Sequence, residues 1–294
     1  MKVASKVKKF TELNLPLDLS IWKNRINSEL GQIFIKKHGK ISKISEAMKY
    51  TLFPGGKRLR PLLCILSAEA AGGNGLDVIS FACGIEMIHA YSLVHDDLPC
   101  MDNDDFRRGK PSCHRTFGEA IAVLAGDALL TEAFSFMSNP ALYPDSIAKR
   151  LPEAIHFVCE SAGWKGMVGG QAMEVVLGDR EKSLPDMKKI NMLKTAMLIE
   201  ASTASGIMLV SGDRRKRKAM QAYGRALGMA FQLSDDIIDT GKEETSLPKR
   251  FGMNVAKKMI IDYINKSVSS LDCFGRKALP LIAVAEYVKN RQVE

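Results

Sequence analysis

Apolar residues recur along most of this chain at intervals of three and four, the spacing that places them on one face of an α-helix. The alternation of apolar and polar residues that is typical of strands is nearly absent, and Gly and Pro fall between segments of helix length. The pattern predicts helices at 18–37, 41–52, 58–72, 76–97, 117–137, 146–163, 166–177, 185–209, 214–239, 252–269 and 275–291. Because no change in composition and no fixed-period repeat divides the chain, we expect one all-α domain over residues 1–294.

The composition is that of a globular protein with a sizeable core. Of the 294 residues, 46% are hydrophobic and 26% are charged. Apolar windows look interrupted by charge or Gly before about 18 residues, the length that a membrane-spanning helix needs. The segment Met1–Phe10 is basic but lacks the apolar core of a signal peptide. We therefore expect a cytoplasmic protein without a membrane span.

Cysteine spacing and net charge each narrow the functional classes. The six cysteines show no paired spacing of the kind that structural zinc sites use, so we expect reduced, buried thiols. The net charge of +9 is compatible with nucleic acid, an anionic membrane surface or phosphorylated substrates. The densest basic run, Arg214 to Lys218, begins a predicted helix and has no interleaved aromatic residues. We therefore expect a solvated helix start and no nucleic-acid binding.

Six aspartates form two clusters, each at the end of a long apolar segment. The first contains Asp96, Asp97 and Asp102, and the second contains Asp235, Asp236 and Asp239. Burying several carboxylates together is costly unless cations neutralise them. The second cluster also lies at the C-terminal end of a predicted helix, where the helix dipole is already negative. Carboxylate oxygens favour Mg²⁺, which commonly shares its coordination with substrate phosphates, so the clusters predict a metal-dependent polyphosphate site.

Basic and polar side chains accompany both clusters. The segment 55–61, GGKRLRP, predicts a flexible turn in which glycines permit close backbone approach and arginines supply bidentate contacts to phosphate. Arg107 and Arg108 follow Asp102 closely and form a second candidate clamp. On other helices, Lys194-Thr195 adds a cation and a hydroxyl group, and Gln232 adds a neutral donor.

His89 has two interpretations. It lies seven residues before Asp96, on the same stripe of the predicted helix. A single histidine on an apolar helix is commonly a satisfied core residue, whereas its alignment with the acidic helix end favours a functional role. The sequence leaves both open.

Taken together, these motifs resemble the trans-type (E)-polyprenyl diphosphate synthases, the short-chain isoprenoid enzymes. The resemblance extends from about residue 20 to the C-terminus. The matching stretches are GGKRLRP (55–61), IEMIHAYSLVHDDLPCMDNDDFRRGKPSCH (85–114), FGEAIAVLAGDALL (117–130), GMVGGQAMEV (166–175), KTAMLIEAS (194–202) and YGRALGMAFQLSDDIID (223–239). Two Asp motifs combined with GGKxxRP and a double arginine are highly specific for this family.

The resemblance implies a fold, an activity and a set of site residues. The fold is an isoprenoid-synthase-type all-α barrel around a deep central cavity, with both Asp motifs at its mouth, in a homodimer. The activity is Mg²⁺-dependent condensation of isopentenyl diphosphate with an allylic diphosphate, with up to three ions bound alongside the substrate diphosphate. The six aspartates above are implied to bind Mg²⁺ and the allylic diphosphate. Isopentenyl diphosphate is assigned to Lys57, Arg60, His89 and Arg108, and the allylic substrate to Arg107, Lys194, Thr195 and Gln232.

The resemblance also links the chain length of the product to one residue position. In this family, bulk shortly before the first Asp motif limits the growing chain. Here that position is Tyr91, five residues before Asp96, which predicts farnesyl diphosphate as the product. Tyr91 could instead be ordinary core, with limiting residues on other helices, and geranylgeranyl or geranyl diphosphate then becomes the alternative.

The chain departs from the family pattern after Asp239. The loop that follows reaches Pro248 after only eight residues, and Lys242 is its only basic residue, so we expect Lys242 to contact substrate there. The shortened loop supports a second reading, a non-catalytic prenyltransferase subunit. A third reading, a terpene cyclase of similar fold, conflicts with the complete second Asp motif and with GGKxxRP.

Overall fold

The computed structural model describes residues 19–34, 42–53, 55–178, 182–238 and 246–291. This part of the chain is helical except for its loops and one two-stranded hairpin. It divides into two compact units: a smaller unit of Asp18–Leu62 and Leu76–Ile155, and a larger unit that takes in Leu63–Gly75 and His156–Glu294. The expectation of a single domain stays a prediction.

The smaller unit is built around one buried helix. Its elements are α1 (Leu19–Gly31), α2 (Ser42–Leu52), the start of α3 (Leu59–Ala70), α4 (Ile79–Asp96), β1 (Phe106–Arg107), β2 (Lys110–Pro111), α5 (Cys113–Phe117), α6 (Glu119–Ser138), α7 (Asp145–Ala148) and the start of α8 (Leu151–Ala162). Helix α4 packs mainly against α6 and also contacts α1 and α2. Most α4 side chains are buried, which explains why this helix is apolar on every face. Its buried body therefore fixes the position of the aspartates at its end.

The larger unit is organised around its longest helix. Its elements after α8 are α9 (Met167–Leu177), α10 (Leu184–Asn191), a π-helical turn (Met192–Ala196), α11 (Met197–Val210), α12 (Arg214–Ile238), α13 (Leu247–Phe251), α14 (Met253–Ser270) and α15 (Leu279–Asn290). Helix α12 packs against α11, α14, α15 and the π-helical turn. The fully buried Tyr223 anchors it, because its hydroxyl donates a hydrogen bond to the carbonyl of Leu281 at 2.7 Å.

The structure agrees with most predicted helices, departs from them at several places, and adds two short helices that were not predicted, α5 and α13. The predicted helix 185–209 contains the π-helical turn, and the predicted helix 146–163 is divided between Ala148 and Leu151. The hairpin was not predicted because strands of two residues are too short to show alternation. At the basic run, α12 begins at Arg214 as expected. The Asp213 carboxylate accepts hydrogen bonds from the backbone N–H groups of Arg215 and Lys216.

The expectation that no apolar window reaches membrane-spanning length is wrong. By length and composition alone, Gly75–Asp96, Glu119–Ser138 and Leu184–Val210 could each cross a membrane. The most apolar windows of the first and third are 72% and 78% buried inside the protein, whereas that of the second is 33% buried. The first window contains one charged residue of the helix interior, Glu86, which is buried and paired with Arg58. The absence of a membrane span stays a prediction.

The six cysteines are all free thiols. Cys64, Cys83 and Cys113 are buried, as expected. Cys100, Cys159 and Cys273 are exposed, so the expectation of burial is wrong for these three.

Candidate active site

The first Asp cluster lies where α4 ends and the chain folds back on itself. Asp96 is the last residue of the helix, and its carbonyl accepts a hydrogen bond from the backbone N–H of Asp102 at 2.8 Å. Asn103, with φ +52°, lets its own N–H reach the carbonyl of Leu98 at 3.1 Å. The turn therefore brings the third aspartate of the motif back to the end of the helix, as its spacing predicts.

Arg107 binds the buried carboxylate of this cluster. Asp97 is 2% exposed, and burial raises its pKa, while the hydrogen bond and charge of Arg107 oppose that rise. Arg107 Nε donates to Asp97 Oδ1 at 2.8 Å, and Nη2 contacts the same oxygen. Nη2 also donates to Asp104 Oδ2 at 2.7 Å. One guanidinium group thus joins Asp97 to a carboxylate outside the motif.

A tight hairpin presents the two consecutive arginines. Phe106 pairs with Pro111 and Arg107 with Lys110, which leaves Arg108 and Gly109 as a two-residue loop. Their φ values are +54° and +76°, so both occupy the left-handed region that a type I′ turn requires. Arginine is an unusual residue in that conformation, and such backbone outliers concentrate at functional sites.

The glycines of the GGKRLRP segment make room for two arginines. A Cβ on Gly56 would lie 3.3 Å from the Arg108 guanidinium, and a Cβ on Gly55 would lie 1.9 Å from Arg58 Cζ. Arg58 is 2% exposed and has φ +54°. The sequence suggested that these glycines admit a phosphate; the structure gives them a second function, which is to accommodate guanidinium groups.

Every nitrogen of the Arg58 guanidinium has a partner. Nε donates to Asn27 Oδ1 at 3.0 Å, Nη1 to Glu86 Oε1 at 2.7 Å, and Nη2 to the carbonyl of Leu52 at 2.6 Å. The Arg58–Glu86 pair is fully desolvated, with side-chain exposures of 1% and 3%. Arg58 therefore fixes the basic loop between Lys57 and Arg60 to α1, α2 and α4.

His89 lies among arginines. Burial lowers its pKa well below the ordinary value, and the positive charges of Arg60, Arg108, Arg58 and Arg107 lower it further. The imidazole is therefore neutral near pH 7 and offers one donor and one acceptor. Three of the four residues assigned to isopentenyl diphosphate, His89, Arg60 and Arg108, thus interact within the smaller unit. The fourth, Lys57, is exposed on the same basic loop.

In the larger unit, a chain of hydrogen bonds leads to the second Asp cluster. Asp236 is 9% exposed and accepts a hydrogen bond from Gln232 Nε2 at 2.8 Å. Gln232 Oε1 accepts one from the hydroxyl of Thr195 at 2.6 Å. Thr195 lies in the π-helical turn, a feature that is frequent at functional sites. A Cβ on Gly170 would lie 2.4 Å from the backbone nitrogen of Lys194, so this glycine lets α9 approach the turn.

Two ion pairs complete this group. Lys194 Nζ lies 2.6 Å from Glu174 Oε2 on α9. Arg291 Nη2 lies 2.6 Å from Asp235 Oδ1. All five described residues predicted for this group therefore have a partner. Thr195, Gln232 and Asp236 are connected to one another, Lys194 pairs with Glu174, and Asp235 pairs with Arg291.

Comparison with known proteins identifies this combination of motifs. The sequence model of the polyprenyl synthetase family, described as "Polyprenyl synthetase", matches residues 41–266. The chain belongs to the polyprenyl synthetase family. It is 38% identical over 283 residues to the chloroplastic geranylgeranyl pyrophosphate synthase of Capsicum annuum, covering 90% of this chain and 76% of that protein. It is also 38% identical over 269 residues to the heterodimeric geranylgeranyl pyrophosphate synthase large subunit 1 of Arabidopsis thaliana, covering 85% and 72%.

Solved structures agree with this assignment. An FPP/GFPP synthase from Zymomonas mobilis superposes with a TM-score of 0.84 at 33% identity, over 92% of this chain and 98% of that one. A geranyltransferase from Legionella pneumophila superposes with a TM-score of 0.86 at 30% identity, over 98% and 99%. The fold is therefore the all-α isoprenoid synthase fold, and this polyprenyl synthetase is a short-chain trans-prenyltransferase.

Tyr91 lies one turn before the first Asp motif of this polyprenyl synthetase. It is 8% exposed, and its ring packs edge-on against that of His95, with centroids 5.8 Å apart. His95 Nε2 lies 3.1 Å from the carbonyl oxygen of Val123 on α6. A Cβ on Gly126 would lie 2.1 Å from the same nitrogen. Gly126 therefore leaves the space that the His95 ring occupies while it packs against Tyr91.

Four residues of the polyprenyl synthetase escaped the sequence analysis: Arg58, Asp104, Glu174 and Arg291. Arg58 and Glu174 lie within the quoted motifs, but nothing local indicates that they pair with Glu86 and Lys194. Asp104 follows the first Asp motif and could have been suspected from its proximity. Arg291 lies 56 residues from Asp235 and carries no local signal.

Two predicted residues, Asp239 and Lys242, lie outside the described residues. Within the described part of the chain, no three His, Cys, Asp or Glu side chains gather closely enough to hold a metal ion by themselves.

Alanine at Gly55 is expected to destabilise the polyprenyl synthetase strongly. A methyl group there would displace the Arg58 guanidinium and leave Glu86 buried without its partner. Breaking a buried ion pair costs about 3–5 kcal/mol, so the free energy of unfolding in urea should fall by about that amount. Gly31→Ala is the matched control, because nothing lies within 4 Å of a Cβ at that position. Equal stabilities of the two variants would contradict this role for Gly55.

Proposed function

We propose that this prenyltransferase condenses isopentenyl diphosphate with dimethylallyl or geranyl diphosphate and releases farnesyl diphosphate and inorganic diphosphate. The observation that supports this most is the neighbourhood of His89. A neutral imidazole interacts there with Arg60 and Arg108, next to the acidic group of Asp97 and Arg107. Clustered cations next to a carboxylate motif suit two diphosphate groups, one bound directly and one through metal.

Mg²⁺ is the proposed metal, with up to three ions bound alongside diphosphate. The donors fit, because both motifs offer carboxylate oxygens, the ligands that suit Mg²⁺. Mg²⁺ commonly keeps several waters and shares phosphate oxygens, so it suits carboxylates that act together with a substrate diphosphate. When bound, Mg²⁺ would act as a Lewis acid on the departing diphosphate. The residues that would hold it are Asp96, Asp97, Asp102, Asp235, Asp236 and Asp239.

The remaining site residues divide between the two substrates. Isopentenyl diphosphate is proposed to bind Lys57, Arg60, His89 and Arg108. The allylic diphosphate is proposed to contact Arg107, Lys194, Thr195 and Gln232, with Lys242 as a further contact. Arg107 and Lys194 already bind carboxylates in the structure, at Asp97 and Glu174, and each would exchange or share that partner with phosphate oxygens.

The reaction needs charge stabilisation rather than a nucleophilic side chain. The allylic C–O bond breaks, and its electron pair leaves with the diphosphate. The double bond of isopentenyl diphosphate attacks the allylic carbocation and forms the new C–C bond, and loss of a proton to the released diphosphate restores a double bond. Arg107 and Lys194 offset the negative charge that develops on the leaving group.

Replacing Arg108 by lysine is expected to raise the KM for isopentenyl diphosphate about tenfold, with a smaller loss in kcat. Lysine keeps the charge but not the planar fork, and it lacks the length and shape that place the guanidinium against Gly56. Arg115→Lys is the matched control, because Arg115 is an exposed arginine that pairs with Asp105 nearby. Unchanged kinetic constants in Arg108→Lys would show that the assignment at this position is wrong.

Farnesyl diphosphate is proposed as the product because of Tyr91, a buried ring held in place by His95. Geranylgeranyl diphosphate is the second candidate, because curated relatives such as the Capsicum annuum protein carry that product in their names. Resolving the products of the wild-type enzyme by chain length separates the two.

We also propose that the enzyme is a homodimer. Helix α6 exposes Val123 and Leu124, at 40% and 47%, and helix α9 exposes Val168 and Val175, at 44% and 57%. Exposed apolar side chains of this kind are typical of surfaces that a second copy covers. Sedimentation equilibrium should give twice the monomer mass. The cytoplasmic location stays a prediction.

A further inference from the structure

Arg291 places a positive charge on the second Asp motif from a distant part of the chain. It follows the end of α15, and its Nη2 donates to Asp235 Oδ1 at 2.6 Å. Its side chain is 11% exposed. Its Cζ lies 4.5 Å from the centroid of the Phe231 ring, which is one helical turn before Asp235. Stacking and burial therefore hold the guanidinium rigidly against α12.

The guanidinium of Arg291 is only partly satisfied. Its Nε and Nη1 are buried, and neither has a hydrogen-bond partner within the described part of the chain. Arg58 differs, because all three of its nitrogens have partners. Arg225 also differs, because it binds Glu200 through Nε and Nη2 at 2.7 and 2.8 Å. Burying unpaired donors costs free energy, so a contact that serves folding alone does not explain Arg291.

The position of Asp235 explains why a cation is needed there. Helix α12 ends at Ile238, so the carboxylates of Asp235 and Asp236 lie in its last turn, where the helix dipole is negative. Asp236 is fixed by Gln232, which belongs to the hydrogen-bonded chain from Thr195. Asp235 is fixed by Arg291. The two adjacent carboxylates are thus oriented independently, one by an amide and one by a guanidinium.

We propose that Arg291 is a positioning residue: it orients the Asp235 carboxylate so that the second Asp motif is preorganised to bind diphosphate together with Mg²⁺. The inference rests on the proposed function. A carboxylate whose rotamer is fixed before binding loses less conformational freedom when it coordinates, which strengthens binding without direct contact between Arg291 and the substrate.

The test measures binding of inorganic diphosphate by isothermal titration calorimetry on the full chain, with and without saturating Mg²⁺. Arg291→Gln should weaken Mg²⁺-dependent diphosphate binding about tenfold. It should also lower kcat while the KM for isopentenyl diphosphate stays unchanged. Arg291→Lys keeps the charge but not the planar stack on Phe231, so it should recover part of the affinity. Lys289→Gln removes the same charge two residues away and should match the wild type in both measurements.

Each outcome decides the proposal. Wild-type diphosphate affinity in a folded Arg291→Gln variant would overturn it, and tighter binding would also overturn it, by showing that Arg291 competes with the metal. If Arg291→Gln does not fold by circular dichroism, Arg291→Lys decides: a clear loss of affinity supports the proposal, and wild-type affinity overturns it. Wild-type protein that neither binds diphosphate with Mg²⁺ nor condenses substrates would instead refute the proposed function itself.

Discussion

Replacing Asp97 by asparagine is expected to lower kcat for condensation by about a hundred- to a thousandfold. Asp97 is the buried carboxylate of the first motif, and asparagine keeps its shape while removing the charge that Mg²⁺ requires. The affinity for isopentenyl diphosphate should change little, because its proposed site is the separate group around His89. Steady-state kinetics at saturating Mg²⁺, with the fold checked by circular dichroism, measures the effect.

Asp104→Asn is the matched control for this prediction. Asp104 accepts a hydrogen bond from the same Arg107 nitrogen that contacts Asp97, but it lies outside the motif and its side chain is 51% exposed. The same substitution there should leave kcat within a fewfold of the wild type, since exposed ion pairs contribute little. Near-normal turnover in Asp97→Asn, or equal losses in both variants, would contradict a metal-binding role for Asp97.

Replacing Tyr91 by alanine is expected to change the product rather than the rate. Removing this buried ring opens room next to His95, so the chain should lengthen from C15 toward C20 and beyond. Tyr91→Phe keeps the ring and should keep the product. Tyr143→Ala is the matched control, because Tyr143 is equally buried at 8% exposure in the same unit. Radiolabelled products separated by chain length give the result.

An unchanged product distribution in Tyr91→Ala would place the limiting residue on another helix. Longer products from Tyr143→Ala as well would mean that general loosening of the unit, rather than loss of one ring, lengthens the chain. Either result would leave Tyr91 as an ordinary core residue.

Features with a local cause could be predicted from the sequence. Helix α4 and its acidic end followed from apolar periodicity. The start of α12 at Arg214 followed from the Gly-containing break that precedes the apolar-periodic segment. In each case the residues that determine the structure are neighbours in the chain.

Features with a distant cause could not be predicted. The reason why Gly55 must be glycine is the guanidinium of Arg58, whose position depends on Asn27, Leu52 and Glu86. The π-helical turn depends on packing against Gly170 and α12, because its local sequence is ordinary helix. Arg291 reaches Asp235 only in the folded protein. The resemblance to the family implied which residues form the site, but it did not imply these contacts between distant residues.

The apolar windows of membrane-spanning length are a second case in which a distant partner could not be predicted from the sequence. Charged residues were expected to interrupt the apolar segments, yet Glu86 lies within a long buried helix, where Arg58 neutralises it. A charged residue counts as polar in a sequence pattern whether or not it is paired. Only the fold reveals the pairing.

The most direct test of the central claim is an incubation of the wild-type protein with radiolabelled isopentenyl diphosphate and each allylic starter, with Mg²⁺ or with a chelator. We predict condensation only with Mg²⁺, from both dimethylallyl and geranyl diphosphate, with the C15 diphosphate as the main product. Geranylgeranyl diphosphate as the main product would contradict the role of Tyr91 while preserving the enzyme class. The absence of any condensation product with every starter at saturating Mg²⁺ would contradict the proposed function.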